Sequence, residues 1–506
     1  MAQRAHAIAL LALVAILAIA NAEDPYIFFD WKITYGTLSP LGVPQQVILI
    51  NGEFPGPNIN STTNNNVVIN IFNDLKEPFL LSWNGVQQRK NSWQDGVPGT
   101  NCPIQPGTNV TYHFQVKDQI GSFFLSYHLP SACRRAAEAS SGLRHQAPCA
   151  PHPRSPFDGP ADDYTVIIGD WYTKSHDSLA SILDKGRSIA KPAGILINGK
   201  SGKDDKNPLF TMEAGKTYRY RICNVGIKTS LNFRIQGHSM ILVEMDGSHT
   251  VQNAYESLDV HVGQCLSVLV KAEQKPMDYY MVASTRFVKY DLSATGIIRY
   301  AGSNTPPSTE LPKAPNGWEW SCGRSAGNLT ASAAPVPTHK VHTNIRAIQH
   351  TRTMREDEAP KAGGGEITAI APNVLNAEHR TYIEIIIENA ERSPNFFHLD
   401  GYSFFAVGMG GGTWAPEKRS TYNLLDAVSR HTIQVYPKSW TAIMTSFDNV
   451  GMWNFRSELW ERRYLGQQMY ISVLNTARSL RDEYNMLPET LLCGSVAGLP
   501  IPAPYT

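Results

Sequence analysis

Tyr382-Ile383-Glu384-Ile385-Ile386-Ile387-Glu388 decides the fold class. Side chains of an extended chain alternate between two faces, so Ile383, Ile385 and Ile387 fall together on one side of a strand. Thr432-Ile433-Gln434-Val435-Tyr436 alternates in the same way, and Tyr218 to Ile222 and Val67 to Phe72 also read as strands. No long run of helical periodicity occurs beyond the N-terminal segment. Many short strands closed by Gly, Pro and Asn turns predict an all-β chain built from sandwiches.

A chain of 506 residues, 42% of them apolar, has room for roughly three domains of about 150 residues, each with a core. Lysine plus arginine (45) balances aspartate plus glutamate (44), so no basic excess points to nucleic acid or an anionic lipid surface. Arg4, the apolar run from Ala7 to Ala20, and Ala20-Asn21-Ala22 before Glu23 have the form of a secretory signal over residues 1–22. That run falls below the ~20 apolar residues needed to span a bilayer. Leu491 to Thr506 is broken by Gly and Pro and lacks the hydrophobic tail of a glycolipid-anchor signal. A soluble secreted chain is expected, without a transmembrane segment.

Three sequons fit that route, at Asn60, Asn109 and Asn328, as candidates for surface glycosylation. Seven cysteines in an oxidising compartment imply disulfides with at least one thiol left over, and spacing alone does not pair them. Two stretches break the strand texture. Residues 131–155 contain no Ile, Val, Phe, Tyr or Trp, a composition from which no sandwich strand is expected. Residues 335–376 mix His339, His342 and His350 with Gly363-Gly364-Gly365. Each stretch reads either as a solvated linker or as an exon or reading-frame error, and composition leaves both open. Histidines of an unstructured segment are a simpler account of the second than a metal cluster.

Asn51-Gly52-Glu53-Phe54-Pro55-Gly56-Pro57 is a strand running into a Gly/Pro corner. After it come Ser82-Trp83-Asn84-Gly85, Trp93-Gln94-Asp95-Gly96, Gly121-Ser122-Phe123-Phe124 and Gly169-Asp170-Trp171-Tyr172. Arg221-Ile222-Cys223-Asn224-Val225-Gly226, Glu244-Met245-Asp246-Gly247, His398-Leu399-Asp400-Gly401 and Asp448-Asn449-Val450-Gly451-Met452-Trp453 follow in order. This succession resembles the multicopper oxidases. The likeness is greatest to the plant branch of skewed-growth, monocopper-oxidase-like and pollen-specific ascorbate-oxidase homologues, which Leu424 to Arg430 and Tyr464 to Gln468 also match. It covers nearly the whole chain after the signal, apart from the two anomalous stretches. It implies three cupredoxin-like Greek-key sandwiches at 23–155, 156–305 and 377–506, with 125–155 anomalous and 306–376 a linker. It also implies a disulfide between Cys102 and Cys493, while Cys223 and Cys265, on predicted neighbouring strands, are left unassigned.

The resemblance carries the copper ligands over residue by residue, and most are absent. The family's His-Trp-His-Gly is Ser82-Trp83-Asn84-Gly85. Its second His-x-His falls on Ser126 and His128. Its His-Pro-x-His-Leu-His falls on Asn395, His398 and Asp400. Its His-Cys-His, with a further His four residues on, falls on Arg456, Ser457, Glu458 and Arg462, with Gln467 near the axial position. Only His398 and His128 survive as remnant metal ligands. Electrons enter such an oxidase at a Cys-ligated copper, and serine is a poor, protonated substitute. Arginine stays charged and offers no lone pair.

His398 therefore reads as a hydrogen-bonded core histidine, or alternatively as a remnant copper ligand. Asp400 and Glu458 are expected to pair with Arg456 or Arg462 rather than to build an oxygen-ligand metal site. His238, Trp83 and Trp453 read as core. Copper is implied by resemblance only, with none or at most one bound. The functional expectation is a catalytically degenerate protein of the apoplast or cell wall, serving directed cell expansion or pollen-tube growth and binding a wall component or small molecule. The alternative is a copper oxidoreductase with residual activity on ascorbate, phenols or metal ions.

Overall fold

The computed structural model describes residues 25–96, 101–117, 119–128, 142–146, 156–202, 206–315, 374–475, 479–488, 490–493, 497–501 and 503. The side chains of 128 and 142–146 lie outside that description. Six sheets form three sandwiches. In the first, strand Tyr26–Leu38 lies between Gln45–Ile50, antiparallel, and Asn66–Asn73, parallel, and Asn109–Gln115 closes the sheet. The facing sheet runs Ile59–Thr62, Gly142–Gln146, Gly121–His128, Leu80–Asn84. Trp31, Ile69, Trp83 and Phe114 fill the space between, with the Trp83 and Phe114 rings 4.6 Å apart. Trp83 supplies packing here, as Trp453 does in the third sandwich.

The strand Gly142–Gln146 corrects the reading of residues 131–155, whose composition excluded one. Its backbone pairs parallel with Ile59–Thr62 and antiparallel with Gly121–His128. A place between two partners supplies ladder hydrogen bonds on both edges, and strand preference yields to such context.

In the second sandwich, a seven-stranded and a five-stranded sheet enclose Ile222, Phe233, Leu242, Val268 and Met281. Cys223 and Cys265 face each other across strands Thr217–Asn224 and Cys265–Lys271 and are joined by a disulfide. Buried His238 has Nε2 2.7 Å from the Tyr300 hydroxyl and Nδ1 2.7 Å from the Gln236 carbonyl, as a core histidine would. The helix His176–Asp184 is capped by Ser175, whose Oγ accepts from the Ser178 amide, and buries Leu179, Ala180 and Leu183.

The third sandwich orders Val374–Glu378, Gln468–Leu474, Gly451–Ser457, Asn395–Leu399 and Thr432–Val435 in one sheet. Tyr382–Asn389, Ser439–Ser446, Phe404–Gly411 and Ser429–Arg430 form the other. Ile383 and Ile387 enter its core, while Ile386 on the opposite face packs near Val407 and Trp440. Glu384, also on that face, accepts from Arg419 and Tyr422. Both faces of the strand are thus occupied, which explains its nearly unbroken run of isoleucines. Cys102 is bonded to Cys493, tying the first sandwich to the chain beyond the third. Among the described residues no helix is long and apolar enough to cross a membrane.

Candidate functional site

Strand Asn395–Leu399 lies between Thr432–Val435 and Gly451–Ser457, in a register that sets His398 opposite both Thr432 and Arg456. The His398 ring is fully buried, with Nδ1 2.9 Å from Thr432 Oγ1 and Nε2 2.9 Å from Asp400 Oδ1. Arg456 bonds the second Asp400 oxygen through Nη1, and its Nε lies 3.1 Å from Glu458 Oε1. Burial works against the Arg456 charge, yet Asp400 and Glu458 outweigh it and hold the guanidinium above its usual range. Burial alone would raise the Asp400 carboxyl, but Arg456 and His398 pull it below the usual carboxylate range.

Asn395, Ser457 and Gln467 form a separate, uncharged cluster. Ser457 Oγ donates to Asn395 Oδ1 at 2.7 Å and accepts from the Leu459 amide at 3.2 Å. Asn395 Nδ2 donates to Gln467 Oε1 at 2.9 Å. Arg462 forms a bidentate pair with Glu391, and Arg456 is the arginine in contact with both Asp400 and Glu458.

The first sandwich closes the cleft. Asn84 Nδ2 approaches Glu458 Oε2 at 3.5 Å, and Ser82 sits opposite Ser126 in the pairing of Leu80–Asn84 with Gly121–His128. The hydroxyls of Ser82 and Ser126 and both carboxyl oxygens of Asp95 are buried without a hydrogen-bond partner among the described residues. Burial pushes the Asp95 carboxyl up, and Asp400 adds to the shift while Arg456 opposes it. The side chain of His128, read from the sequence as a remnant ligand, lies outside the described residues.

Two glycines let the sandwiches meet. A Cβ on Gly85, where φ is +87°, would come within 2.6 Å of His431 Nε2. A Cβ on Gly263, in the second sandwich, would come within 2.7 Å of Glu458 Cγ.

His431 and Asp95 belong to the cleft but were missed as site residues by the sequence reading. His431 Nδ1 lies 3.3 Å from His398 Nδ1 and 3.0 Å from Thr432 Oγ1. Burial, chiefly, lowers its pKa to about 4, the Asp246 carboxylate resisting. Arg430 Nε donates to Asp246 Oδ2 at 2.7 Å, carrying the network into the second sandwich. Asp95 was visible in the block Trp93-Gln94-Asp95-Gly96. His431 directly follows the run Leu424 to Arg430, and only the tertiary fold brings it to His398.

Profiles described as multicopper oxidase match residues 32–144, 162–303 and 336–479. An L-ascorbate oxidase homolog of Brassica napus is 54% identical, with 97% of each chain covered. That alignment runs over 543 positions against the chain's 506 residues, so this relative carries residues the chain lacks. The monocopper oxidase-like protein SKU5 of Arabidopsis thaliana is 40% identical over 98% of this chain and 94% of its own. In fold, the chain is similar to the crystal structure of Fet3p, a multicopper oxidase that functions in iron import. There the TM-score is 0.70, at 19% identity over 88% of this chain and 90% of that one. Profile matches in each sandwich, joined to full-length identity with plant relatives, place this chain in the multicopper oxidase family.

Proposed function

We propose that the chain is a secreted, redox-inactive member of its family, retained for binding or structure in the plant cell wall or apoplast. The observation that carries this reading is the Asp400–Arg456–Glu458 ion-pair cluster, in which an arginine stands against the carboxylate charges that a metal would otherwise compensate. The donor set does not fit the family's copper. A hydroxyl, two carboxamides and a paired guanidinium stand at Ser457, Asn395, Gln467 and Arg462, where a trigonal copper needs a thiolate and imidazoles. The two described imidazoles of the cleft, His398 and His431, turn their Nδ1 atoms toward each other and Thr432.

The secretory pattern at residues 1–22 and the sequons support an extracellular place, and likeness to the skewed-growth branch supports a part in directed cell expansion or pollen-tube growth. The names of the relatives favour a second reading, a copper-binding oxidoreductase with residual activity. Copper content and oxygen uptake of the secreted protein separate the two. Less than one copper per chain, with no uptake on ascorbate, phenols or ferrous ion, is the expected result. Stoichiometric copper with turnover would sink the degenerate reading.

A further inference from the structure

The outer face of the first sandwich exposes three large aromatic side chains. Phe28 is 70% exposed, Tyr26 52% and Phe72 38%, and the Tyr26 and Phe28 rings stack with centroids 6.0 Å apart. All three project from one sheet, and strand register fixes their neighbours. Phe72 lies directly opposite Asn109, and Asn70 opposite Thr111, across the antiparallel pair Asn66–Asn73 and Asn109–Gln115. Phe28 pairs with Val68 and Tyr26 with Asn66, farther along the same face.

Asn109-Val110-Thr111 is a sequon lying within a strand, so its Asn and Thr point to the same, exposed face. A hydrogen-bonded row orients its amide: Asn109 Nδ2 donates to Asn70 Oδ1 at 3.1 Å, and Asn70 Nδ2 donates to Asp30 Oδ1 at 3.3 Å. We propose that Asn109 carries an N-linked glycan whose first sugars stack on Phe72 and continue along the sheet toward Phe28 and Tyr26.

In the linking step, the Asn109 amide nitrogen attacks the anomeric carbon of a lipid-diphosphate-linked oligosaccharide. The new N–C bond replaces the C–O bond to the diphosphate, which leaves with the electron pair, and the amide loses one proton. The second amide hydrogen remains to donate to Asn70. Directly opposed side chains in such a pair have Cβ atoms about 5 Å apart, within reach of the first sugar. The C–H-rich face of an N-acetylhexosamine matches the electron-rich face of a phenyl ring. A glycan laid this way covers the exposed aromatics with a polar outer surface.

This inference rests on the secretory reading, and Asn60, exposed on another strand, serves as its control. The chain is expressed through a eukaryotic secretory route, and peptide mass spectrometry reads the occupancy of both sequons. Enzymatic deglycosylation of the wild type is expected to lower Tm by about 2 °C, and the loss should vanish in Phe72→Ser. Removal of the glycan leaves aspartate at position 109 in both proteins, so the comparison cancels that charge. An occupied Asn60 with an empty Asn109 overturns the proposal alone. So does an occupied Asn109 whose removal lowers Tm equally in wild type and variant. Both sequons empty in secreted protein also overturns it, while failure of the chain to enter the secretory route overturns the secretory reading with it.

Discussion

Arg456 Nε lies 3.1 Å from Glu458 Oε1 while the same guanidinium holds Asp400, so one cation compensates two carboxylates in a cleft closed to solvent. Arg456→Met strands both anions in the interior and should cost about 3–5 kcal/mol, read as a lower denaturant midpoint. The triple variant Asp400→Asn, Arg456→Met, Glu458→Gln removes the charges together and should recover most of that loss. A single variant that unfolds at the wild-type midpoint would show that the pair contributes nothing.

Ser457→Cys alone should not create a blue copper centre, because the new sulfur would still face the Asn395 carboxamide, and Arg462 is a guanidinium already committed to Glu391. Asn395→His, Ser457→Cys and Arg462→His together supply one thiolate and two imidazoles, the trigonal set such a centre needs. Visible absorption after addition of Cu(II) checks this, with an intense thiolate-to-copper band expected for the triple variant only.

His261 lies where the second and third sandwiches meet, its ring stacked 4.7 Å from Phe396 and its Nδ1 2.9 Å from Ser230 Oγ. Burial, then the charges of Arg430 and Arg286, lower its pKa from 6.5 to about 3. The folded protein therefore keeps His261 neutral while the unfolded chain takes a proton. Its contribution to stability is intact above 6.5 and is lost as pH falls toward about 3. His261→Gln should flatten this acid limb by about one proton, or ~1.4 kcal/mol per pH unit at the steepest. Unfolding free energies measured across that range test the slope.

Cys102 and Cys493 are separated by 391 residues, with Cα atoms 5.8 Å apart. In the chain-entropy model, closing so long a loop stabilises the fold by about 6 kcal/mol, since the unfolded chain loses that freedom. Cys102→Ser and Cys493→Ser should each lower Tm, and the double variant should match either single. Additive losses would place the effect in local packing rather than in the crosslink.

The strands at Tyr382 and Thr432 were legible because one face of each is apolar at every second position. Gly142–Gln146 was not, since its pairing comes from neighbours rather than its own side chains. The helices His176–Asp184 and Trp460–Tyr464 are too short to show a periodicity of their own. In the cleft, Asn395, His398, Asp400, Arg456, Ser457 and Glu458 could be found because the family's blocks fix their spacing. The pairing of Asp400 and Glu458 with an arginine was also legible, but which of Arg456 and Arg462 would supply it was not. Arg462 joins Glu391, and His431 reaches His398, through contacts between segments that no local pattern records. The compositions of 131–155 and 335–376 stand apart from the rest of the chain, although the first of them contributes the paired strand Gly142–Gln146. The residues that the Brassica napus relative carries and this chain lacks make transcript sequencing across both stretches the direct measurement.

The bond between Cys102 and Cys493 also turns most of the polypeptide into a covalent ring. One protease cut anywhere between those residues opens the ring without freeing a fragment, so a nicked molecule keeps its full mass until a reductant is added. Pulling the molecule by its two ends would likewise pass force across the sulfur bridge once the strands before Cys102 had given way, and would leave the residues between Cys102 and Cys493 out of the load path.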